Sequence, residues 1–375
     1  MAKNIPKTAY ENEQIKRNFL QQLEGGRGFA ETSIQVHADA IAQWQTFTEK
    51  DDFSNFNKTK AREFVKWLST RPAKTKTGKI ALVTQSNYLR HVKKFFEWLS
   101  EQPGYRSKIL KSEVNFLRLS KKDASIARQG TTKQMPTFEQ VQKLIQSIEV
   151  KNELDQRDRA LISLIFITGA RISAVATLRM KNFNWQEEII DQNPADKVKT
   201  KASKRIPCTF FPIGWDDPKR YFMEWYAYLE SKGFLPDDPI FPATFGGFAA
   251  EKNNHSKDLL SRNCWNTSSP AREIFKKRFL DAGLPYFHPH SFRHLIVGTL
   301  SKNRRLTEEQ RKAISLNLGH EDVVTTFGSY GYSNMTSEEA ITVVKNLGNP
   351  GDDASTSITE EDAVFLERIA RKGRS

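Results

Sequence analysis

The chain has few cysteines and no long apolar run, and these absences exclude several classes of protein. Cys208 and Cys264 are the only cysteines among 375 residues. Two distant cysteines do not build a disulfide scaffold or a cysteine zinc site. No apolar stretch approaches the roughly 20 residues that a membrane-spanning helix needs, and the first residues form no apolar signal-peptide segment. We therefore expect a cytoplasmic protein with no membrane partner.

Acidic residues are outnumbered by basic ones. The sequence holds 58 Lys and Arg against 44 Asp and Glu, a formal net charge of +14. Residues 51–130 alone hold 18 basic and 7 acidic residues. Such a surplus predicts a polyanionic partner, because each phosphate that a basic side chain neutralises releases counterions. A basic surface that only keeps the protein in solution is the alternative interpretation of charge alone.

Polarity and periodicity divide the chain into segments and predict a mainly α-helical protein. Amphipathic helical patterns dominate, and Gly/Pro/Ser-rich or Lys-rich stretches separate them. The predicted segments are a flexible N-terminal segment (1–30), a helical DNA-binding domain (31–118), a linker (119–136), a mixed α/β catalytic domain (137–347) and a C-terminal hinge and helix (348–375).

The second domain carries the pattern of helices around a small β-hairpin. Thr137-Phe-Glu-Gln140 is typical of a capped helix start. Residues 186–212 have strand character on both sides of a basic stretch, which predicts the hairpin. Further helices are predicted near 138–148, 155–168, 216–231, 256–264, 270–282, 291–302, 307–316, 337–346 and 359–371.

Cleavage of a DNA strand without a metal needs three kinds of side chain. A nucleophile attacks phosphorus, and tyrosine suits this task because its phosphodiester conserves the bond for religation. Arginine binds the phosphate oxygens bidentately and stays charged. Lysine or histidine supplies a proton to the departing 5′ oxygen. The second domain contains all of these in order: Thr168-Gly-Ala-Arg171, Lys199-Thr-Lys201, His288-Pro-His290-Ser-Phe-Arg293-His294, Leu318-Gly-His320 and Thr325-Thr-Phe-Gly-Ser-Tyr330-Gly-Tyr332.

This ordered set resembles the tyrosine recombinases of the phage-integrase family. The resemblance covers residues 137–347 with specific motifs, whereas residues 30–118 resemble the family's core-binding domain only in character and position. It implies strand exchange through a 3′-phosphotyrosyl link and a Holliday junction in a tetramer. It also implies that no metal, cofactor or ATP takes part.

The resemblance implies a role for each motif residue. Arg171 and Arg293 would clamp the scissile phosphate, and Lys201 would be the general acid. His290 would assist proton transfer and orient the phosphate, whereas His320 would donate a hydrogen bond to a non-bridging oxygen. Tyr330 would be the nucleophile.

Three departures from the family pattern leave alternatives open. Ala174 stands where the family commonly has an acidic residue that supports the site. The tyrosine position nine residues after His320 holds a serine, so Tyr330 requires one inserted residue and Tyr332 is its rival. The hairpin is one residue shorter than usual, so Lys199 competes with Lys201 as the general acid.

Several basic residues of the first half are candidate phosphate contacts. They lie in the Lys-rich loop before the third helical pattern, on that helix and in the predicted linker. The candidates are Lys74, Lys76, Lys79, Arg90, Lys93, Lys121 and Lys122.

The predicted partners are double-stranded recombination sites, further copies of the chain in a homo-tetramer on DNA, and an accessory DNA-bending protein. Free of DNA, a monomer or weak oligomer is expected, in a bacterial, phage or mobile-element context near the nucleoid. Other functions fit parts of the pattern. A metal-dependent relaxase would use His288 and His290 as ligands, but it needs them on a central strand, where Pro289 is poorly tolerated. A type IB topoisomerase shares the chemistry, and a DNA-binding regulator with a decayed site would explain Ala174.

Overall fold

The chain divides into two compact units, Met1–Thr132 and Lys133–Ser375, in the computed structural model. The structure describes residues 7–26, 28–29, 31–73, 78–129, 135–244, 260–303 and 306–327. The predicted helices at 337–346 and 359–371 and the predicted hinge lie outside the described residues. So do Lys74, Lys76, Tyr330 and Tyr332.

The described part of the first unit is helical. Its helices are α1 (Lys7–Gln21), α2 (Glu31–Phe47), α3 (Lys58–Thr70), α4 (Leu82–Leu99), α5 (Lys111–Val114) and α6 (Lys121–Gln129).

An aromatic cluster holds these helices together. Trp44 of α2 lies edge-on to Phe64 of α3 and Phe96 of α4, with ring centroids 5.0 and 4.8 Å apart. Edge-to-face pairs of this kind contribute about 0.5–1.5 kcal/mol each beyond the burial of apolar area. The helical spacing of these aromatic residues in the sequence therefore indicates the residues that form the core of the unit.

The prediction of a flexible segment over residues 1–30 is wrong for residues 7–26. Helix α1 continues into a π-helical turn, Gln22–Gly26, and packs in the core through Phe19 and Leu23, each 2% exposed. Phe19 lies edge-on to Phe95 with centroids 5.3 Å apart. The apolar residues Ile15, Phe19 and Leu23 recur every four positions and form a stripe, which the polar composition around them conceals.

The predicted linker, 119–136, also contains regular structure. Residues 121–129 form α6, which packs against α4. Ser120 starts this helix by accepting a hydrogen bond from the Asp123 amide through its hydroxyl. The sequence lacks a sustained apolar period here because α6 is a short helix whose described side chains are exposed or half-buried.

In the second unit, helices surround one buried helix. The helices of its described part are α7 (Phe138–Gln146), α8 (Glu153–Thr168), α9 (Ile172–Val175), α10 (Asp217–Ser231), α11 (Ser269–Asp281), α12 (His290–Asn303), α13 (Glu308–Asn317) and α14 (Val323–Thr326). Every residue of α8 from Ala160 to Thr168 is buried, and the helix contacts α7, α10 and α12. The predicted capping box is confirmed, since Thr137 Oγ1 accepts from the Gln140 amide and Gln140 Oε1 accepts from the Thr137 amide.

A three-stranded antiparallel sheet lies beside these helices. Its strands β1 (Phe183–Asn184), β2 (Ile189–Gln192) and β3 (Ile206–Cys208) pair in the order β1-β2-β3. Ile190 pairs with Phe183 on one side and Cys208 on the other. The predicted fold class, mainly α with a small β-hairpin or sheet, is confirmed.

One predicted helix of this unit is wrong in its described part. Residues 260–264 of the predicted 256–264 helix are not helical. Their backbone pairs with the chain at 243–244 instead, where the Ser261 amide donates to Ala243 O at 2.8 Å and Leu260 bridges to Thr244. These pairings to a distant segment satisfy the backbone groups that a helix would have satisfied locally.

Candidate active site

The turn after α8 places the first motif against two others. Gly169 ends α8 in a left-handed conformation with φ of 60°. A β-carbon on Gly169 would lie 2.7 Å from Leu318 Cδ2 and 3.4 Å from Arg293 Cγ. Glycine is needed here because both the backbone angle and the close approach exclude a side chain. The next residues lead into Arg171, which is half-buried and caps α9.

Arg293 lies at the centre of this contact. Its side chain is buried at 1% exposure on α12. Nη1 donates to Gly169 O at 2.6 Å, and Nη2 donates to Leu318 O at 2.7 Å. One acceptor is the carbonyl of the turn glycine Gly169, and the other is the carbonyl of Leu318, which precedes the turn glycine Gly319. The guanidinium therefore ties the Thr-Gly-Ala-Arg turn and the Leu-Gly-His turn to α12.

His320 completes the buried cluster. Its Nε2 lies 3.0 Å from Arg293 Nη2, and its Nδ1 lies 2.9 Å from Thr326 Oγ1. Burial, together with the charges of Arg293, Arg171 and Lys201, lowers the pKa of His320 to about 4. The imidazole is consequently neutral at pH 7. Arg171 and Lys201 are thus, with Arg293, the cations whose charge acts on this ring.

The hairpin docks on the Leu-Gly-His turn. Gly319 has φ of 72°, and a β-carbon there would lie 2.5 Å from Ile206 Cδ1 of β3. Thr209 follows β3 directly, and its backbone pairs with the Asn317 side chain. The Asn317 amide group accepts from the Thr209 amide at 2.8 Å and donates to the Thr209 carbonyl at 3.0 Å. These contacts fix the strand that follows the lysine-bearing turn.

The two candidate lysines have different surroundings. Lys201 is exposed and begins a 3-10 turn in which Ala202 and Ser203 adopt left-handed φ values of 58° and 51°. Lys199 instead donates from Nζ to Asn266 O at 2.7 Å. Lys201 influences the pKa of His320, whereas the ammonium of Lys199 lies against the 266 segment. The two lysines therefore differ in that the charge of Lys201 acts on His320, whereas Lys199 is bonded to the backbone at Asn266.

His290 and Arg293 share the first turn of α12. His290 is half-buried and opens the helix, and its amide donates to His288 Nδ1 at 3.1 Å. Its ring lies edge-on to that of His294, with centroids 5.7 Å apart. Because His290 and His288 belong to a helix start and its preceding loop, the strand geometry that a relaxase would need is not present at these residues.

Ala174 packs its methyl group into the core at 1% exposure. The position that is commonly acidic in the family therefore brings no carboxylate to the cluster. The backbone carbonyls of Gly169 and Leu318 act as anchors of the Arg293 guanidinium.

The segment that leads toward the tyrosines is anchored beside His320. Asp322 caps α14 by accepting from the Val324 amide at 2.8 Å. Thr326 is fully buried, and Phe327 packs with Leu318 at 6% exposure. Tyr330 follows Phe327 by three residues in the sequence.

Among the predicted phosphate contacts, Arg90 and Lys93 lie on one face of α4. With Lys94 and Lys111 they line a groove of about 770 Å³, in which Lys93 also contacts Asn115 at 2.9 Å. The charge pattern had not singled out Lys94 and Lys111. The remaining described candidates are surface residues: Lys79, Lys121 and Lys122.

The described residues offer neither a cluster of metal ligands nor a membrane-spanning helix. Within the described ranges, no group of three or more His, Cys, Asp or Glu side chains could hold a metal ion. No helix in the same ranges is long and apolar enough to cross a membrane.

Comparison with known proteins assigns the arrangement to a family. The profile of the phage integrase family matches residues 134–337, and the chain belongs to this family. It is 25% identical over 320 residues to the tyrosine recombinase XerC of Lactobacillus delbrueckii subsp. bulgaricus, covering 83% of this chain and 92% of the relative. The chain is accordingly a tyrosine recombinase.

Solved structures show the same fold. The XerH site-specific recombinase, in a post-cleavage complex with palindromic difH substrate, is 18% identical and aligns with a TM-score of 0.56 over 87% of this chain and 85% of that one. A lambda integrase tetramer bound to a Holliday junction is 12% identical and aligns with a TM-score of 0.54 over 89% and 83%. These likenesses show that the chain shares the fold of both proteins.

Proposed function

We propose that this recombinase cleaves and rejoins specific DNA sites through a 3′-phosphotyrosyl intermediate on Tyr330. The observation that carries the proposal is the buried contact between Arg293 and His320, which joins three sequence motifs. Arg171 and Lys201 are close enough to depress the pKa of His320. A cationic cluster of this composition suits a phosphate in its transition state.

In the cleavage step, the Tyr330 oxygen forms a bond to phosphorus while the bond from phosphorus to the 5′ oxygen breaks. Arg171 and Arg293 stabilise the charge on the non-bridging oxygens. Lys201 gives its proton to the departing 5′ oxygen, and His290 assists the removal of the tyrosine proton. Religation reverses these transfers when a 5′ hydroxyl of the partner strand attacks the phosphotyrosine. The step needs no metal ion and no ATP.

The first unit supplies the non-specific grip on DNA. The first unit contacts phosphates through Arg90 and Lys93 on α4, through Lys79, and through Lys121 and Lys122 at the start of α6. Lys74 and Lys76, which lie outside the described residues, are further proposed phosphate contacts. These contacts position the duplex, and base-edge contacts and DNA deformability select the site.

Strand exchange takes place between two duplexes in a homo-tetramer, through a Holliday junction. The lambda integrase complex, a tetramer on such a junction, supports this assembly. An accessory DNA-bending protein assists where the site requires it, and the DNA substrate places the activity at the nucleoid.

The test is covalent capture on a suicide substrate. Nicked duplexes tiled from the DNA that flanks the gene are incubated with the full chain in EDTA, and protein–DNA adducts are separated on a denaturing gel. Wild type, Tyr330→Phe and Tyr332→Phe run side by side, and Tyr10→Phe, an exposed tyrosine of α1, is the matched control. We expect an adduct in EDTA that only Tyr330→Phe abolishes.

Other outcomes contradict parts of the proposal. Loss only in Tyr332→Phe would keep the chemistry and move the nucleophile. Tight binding to one duplex without any adduct would indicate a binding protein with a decayed site. Relaxation of supercoiled plasmid without site preference would indicate a topoisomerase.

A further inference from the structure

An ion pair between Lys204 and Glu321 joins two turns of the site. Lys204 lies three residues after Lys201 in the turn between β2 and β3, and Glu321 directly follows His320. The Lys204 ammonium donates to the Glu321 carboxylate across a separation of 117 residues in the sequence. The steps of the proposed cleavage give neither partner of this pair a task.

The turn that carries Lys201 has an unfavourable backbone. Ala202 and Ser203, which follow Lys201, have left-handed φ values of 58° and 51°. Neither is a glycine, an asparagine or an aspartate, the residue types that adopt this region most readily. Local sequence preference therefore does not hold the turn in this shape, and contacts with the rest of the fold have to do so.

The chain on either side of this turn is tied to different places. Before the turn, the Lys199 amide donates to Thr177 Oγ1 at 2.9 Å. After it, Arg205 pairs with Asp191 of β2 at 2.8 Å, which is a contact within the hairpin itself. Of these contacts and the pair made by Lys204, only the latter ties the turn to the segment of the Leu-Gly-His motif.

Glu321 is itself held in place from α13. Its carbonyl accepts from Lys312 Nζ at 2.6 Å, and the amide of the preceding His320 donates to Ser315 O at 2.8 Å. The hydrogen bond and the charge of Lys204 lower the pKa of Glu321, and the charge of Lys312 acts in the same direction. The carboxylate is therefore ionised at neutral pH and offers the turn a negative charge in a fixed place.

We infer that Glu321 is a positioning residue that holds Lys201 at the site by pairing with Lys204. Ala174 brings no carboxylate to the buried cluster, and Glu321 supplies one beside it from another part of the chain. The inference rests on the proposed function, because it takes Lys201 as the general acid. Exposed ion pairs contribute little to stability, so the effect of this pair falls on the position of the turn and on proton transfer.

The first experiment tests the pair in solution without using activity. A water-soluble carbodiimide condenses a carboxylate and an ammonium in contact into an amide with loss of water, and mass spectrometry of the digested full chain locates the bond. We expect a cross-link between Lys204 and Glu321 near pH 6.5 and its loss in Glu321→Gln. The exposed pair of Lys219 with Glu188, 2.6 Å apart, is the internal control. Formation of the control cross-link alone, or attachment of Glu321 to Lys312 alone, would overturn the inference.

The second experiment measures single-turnover cleavage of the suicide substrate with enzyme in saturating excess. Glu321→Gln and Lys204→Gln should each slow adduct formation by about two- to fivefold, the size of effect that an exposed ion pair has. The double variant should be no slower than either single variant, because both lose the same contact. Lys204→Arg keeps the charge and should stay near the wild-type rate, and Glu188→Gln, the matched control, should leave it unchanged. Additive losses in the double variant would contradict the inference.

A leaving group that departs without a proton separates the positioning of Lys201 from a general loss of structure. On DNA with sulfur in place of the bridging 5′ oxygen, Glu321→Gln should cleave as fast as wild type, because the departing thiolate needs no general acid. Equal slowing on both substrates would mean that Glu321 supports the fold as a whole. Faster cleavage of ordinary DNA by Glu321→Gln would mean that the carboxylate competes with DNA for Lys204. Either result would refute the positioning role.

The experiments separate this inference from the proposed function. A wild type that forms no adduct would defeat the proposed function, and the cross-link would still decide whether Glu321 holds the turn. A wild type that forms the adduct no faster than Glu321→Gln would defeat the role of Glu321 alone.

Discussion

At the scale of single residues, two glycines determine how closely the motifs of the site approach one another. Gly169 and Gly319 both have positive φ, and each faces a side chain closer than any β-carbon tolerates. Gly283 has a similar φ of 66° but open space around it. The comparison separates the cost of the backbone angle from the cost of the contact.

We expect Gly169→Ala to lower the free energy of unfolding by about 2–5 kcal/mol, from the left-handed angle and from overpacking against Leu318. Gly283→Ala should lower the free energy of unfolding by only about 1–2 kcal/mol, because the left-handed backbone angle is its only cost. Urea denaturation of both variants measures the difference. Equal losses would show that the contact with Leu318 is not tight in solution.

A buried histidine of the first unit makes stability depend on pH. Burial lowers the pKa of His37 to about 4 from an ordinary 6.5, and the charges of His91, Lys94 and Arg90 act in the same direction. The folded state therefore holds the neutral ring, and the unfolded state takes up the proton first as the pH falls. The stability that the neutral His37 ring contributes is complete above pH 6.5, and it is lost as the pH falls from 6.5 to about 4.

We expect wild type to lose up to about 3 kcal/mol from this one group over that range. His37→Gln has no proton to gain and should show a smaller loss, whatever its stability at pH 8. Urea denaturation at pH 7.5 and 4.5 gives the change in the free energy of unfolding with pH for wild type and for His37→Gln. A pH dependence identical to that of wild type would exclude His37 as the source.

At the scale of elements, the turn between β2 and β3 holds both candidate lysines, Lys199 and Lys201, and we propose Lys201 as the general acid. If Lys201 is the general acid, a leaving group that departs without a proton should make it dispensable. We expect Lys201→Ala to slow cleavage about a hundredfold or more on ordinary DNA, and to recover on DNA with sulfur in place of the bridging 5′ oxygen. Gel analysis of adduct formation on both substrates tests this.

Lys199→Ala is the matched control, since its ammonium contacts Asn266 O. It should cleave both substrates at comparable rates. A sulfur-specific rescue of Lys199→Ala in place of Lys201→Ala would exchange the two lysines.

Helix α1 is held to the first unit by a buried polar residue as well as by its apolar stripe. Asn12 is 1% exposed, donates to the carbonyls of Lys50 and Asp51, and accepts from the Phe53 amide. We expect Asn12→Ala to reduce the free energy of unfolding by about 1–3 kcal/mol, because buried backbone groups lose their partner. Gln21→Ala, exposed on the same helix, should change it by less than about 0.5 kcal/mol in the same urea titration. Equal effects would mean that α1 is not fixed through Asn12.

Elements with a local sequence signal were predicted, and elements fixed by distant contacts were not. The start of α7 is indicated by Thr137 with Gln140, and the end of α8 is indicated by the glycine that follows it. By contrast, Asn12 becomes informative only when residues 50–53 are next to it. The turn at Lys201 depends on left-handed Ala202 and Ser203, which no residue type signals. Thr326 looked no different from Thr325 until the fold buried one of them.

At the scale of the whole molecule, the net charge of +14 predicts a steep salt dependence of DNA binding. Each phosphate contact contributes about 0.9 to the slope of log K against log salt. We expect Lys121→Gln combined with Lys122→Gln to reduce that slope by up to about 2. Lys151→Gln, whose ammonium is paired with Glu149 in the second unit, should leave it unchanged. Fluorescence anisotropy over a salt series measures the slopes, and a flat wild-type response would contradict a phosphate-binding first unit.

The position of Arg293 changes how an inactive variant of it should be interpreted. Its bonds to Gly169 O, Leu318 O and His320 occupy three of the five N–H donors of a guanidinium, which leaves at most two for any other partner. Lysine offers three donors from one point and cannot span the two carbonyls in this geometry. Arg293→Lys would thus leave the buried carbonyls of Gly169 and Leu318 without this donor, and α12 would lose its hydrogen bonds to both glycine turns. Loss of activity in such a variant is a measure of folding as much as of catalysis, so the chemistry of this arginine is better tested by changing the substrate phosphate than by changing the residue.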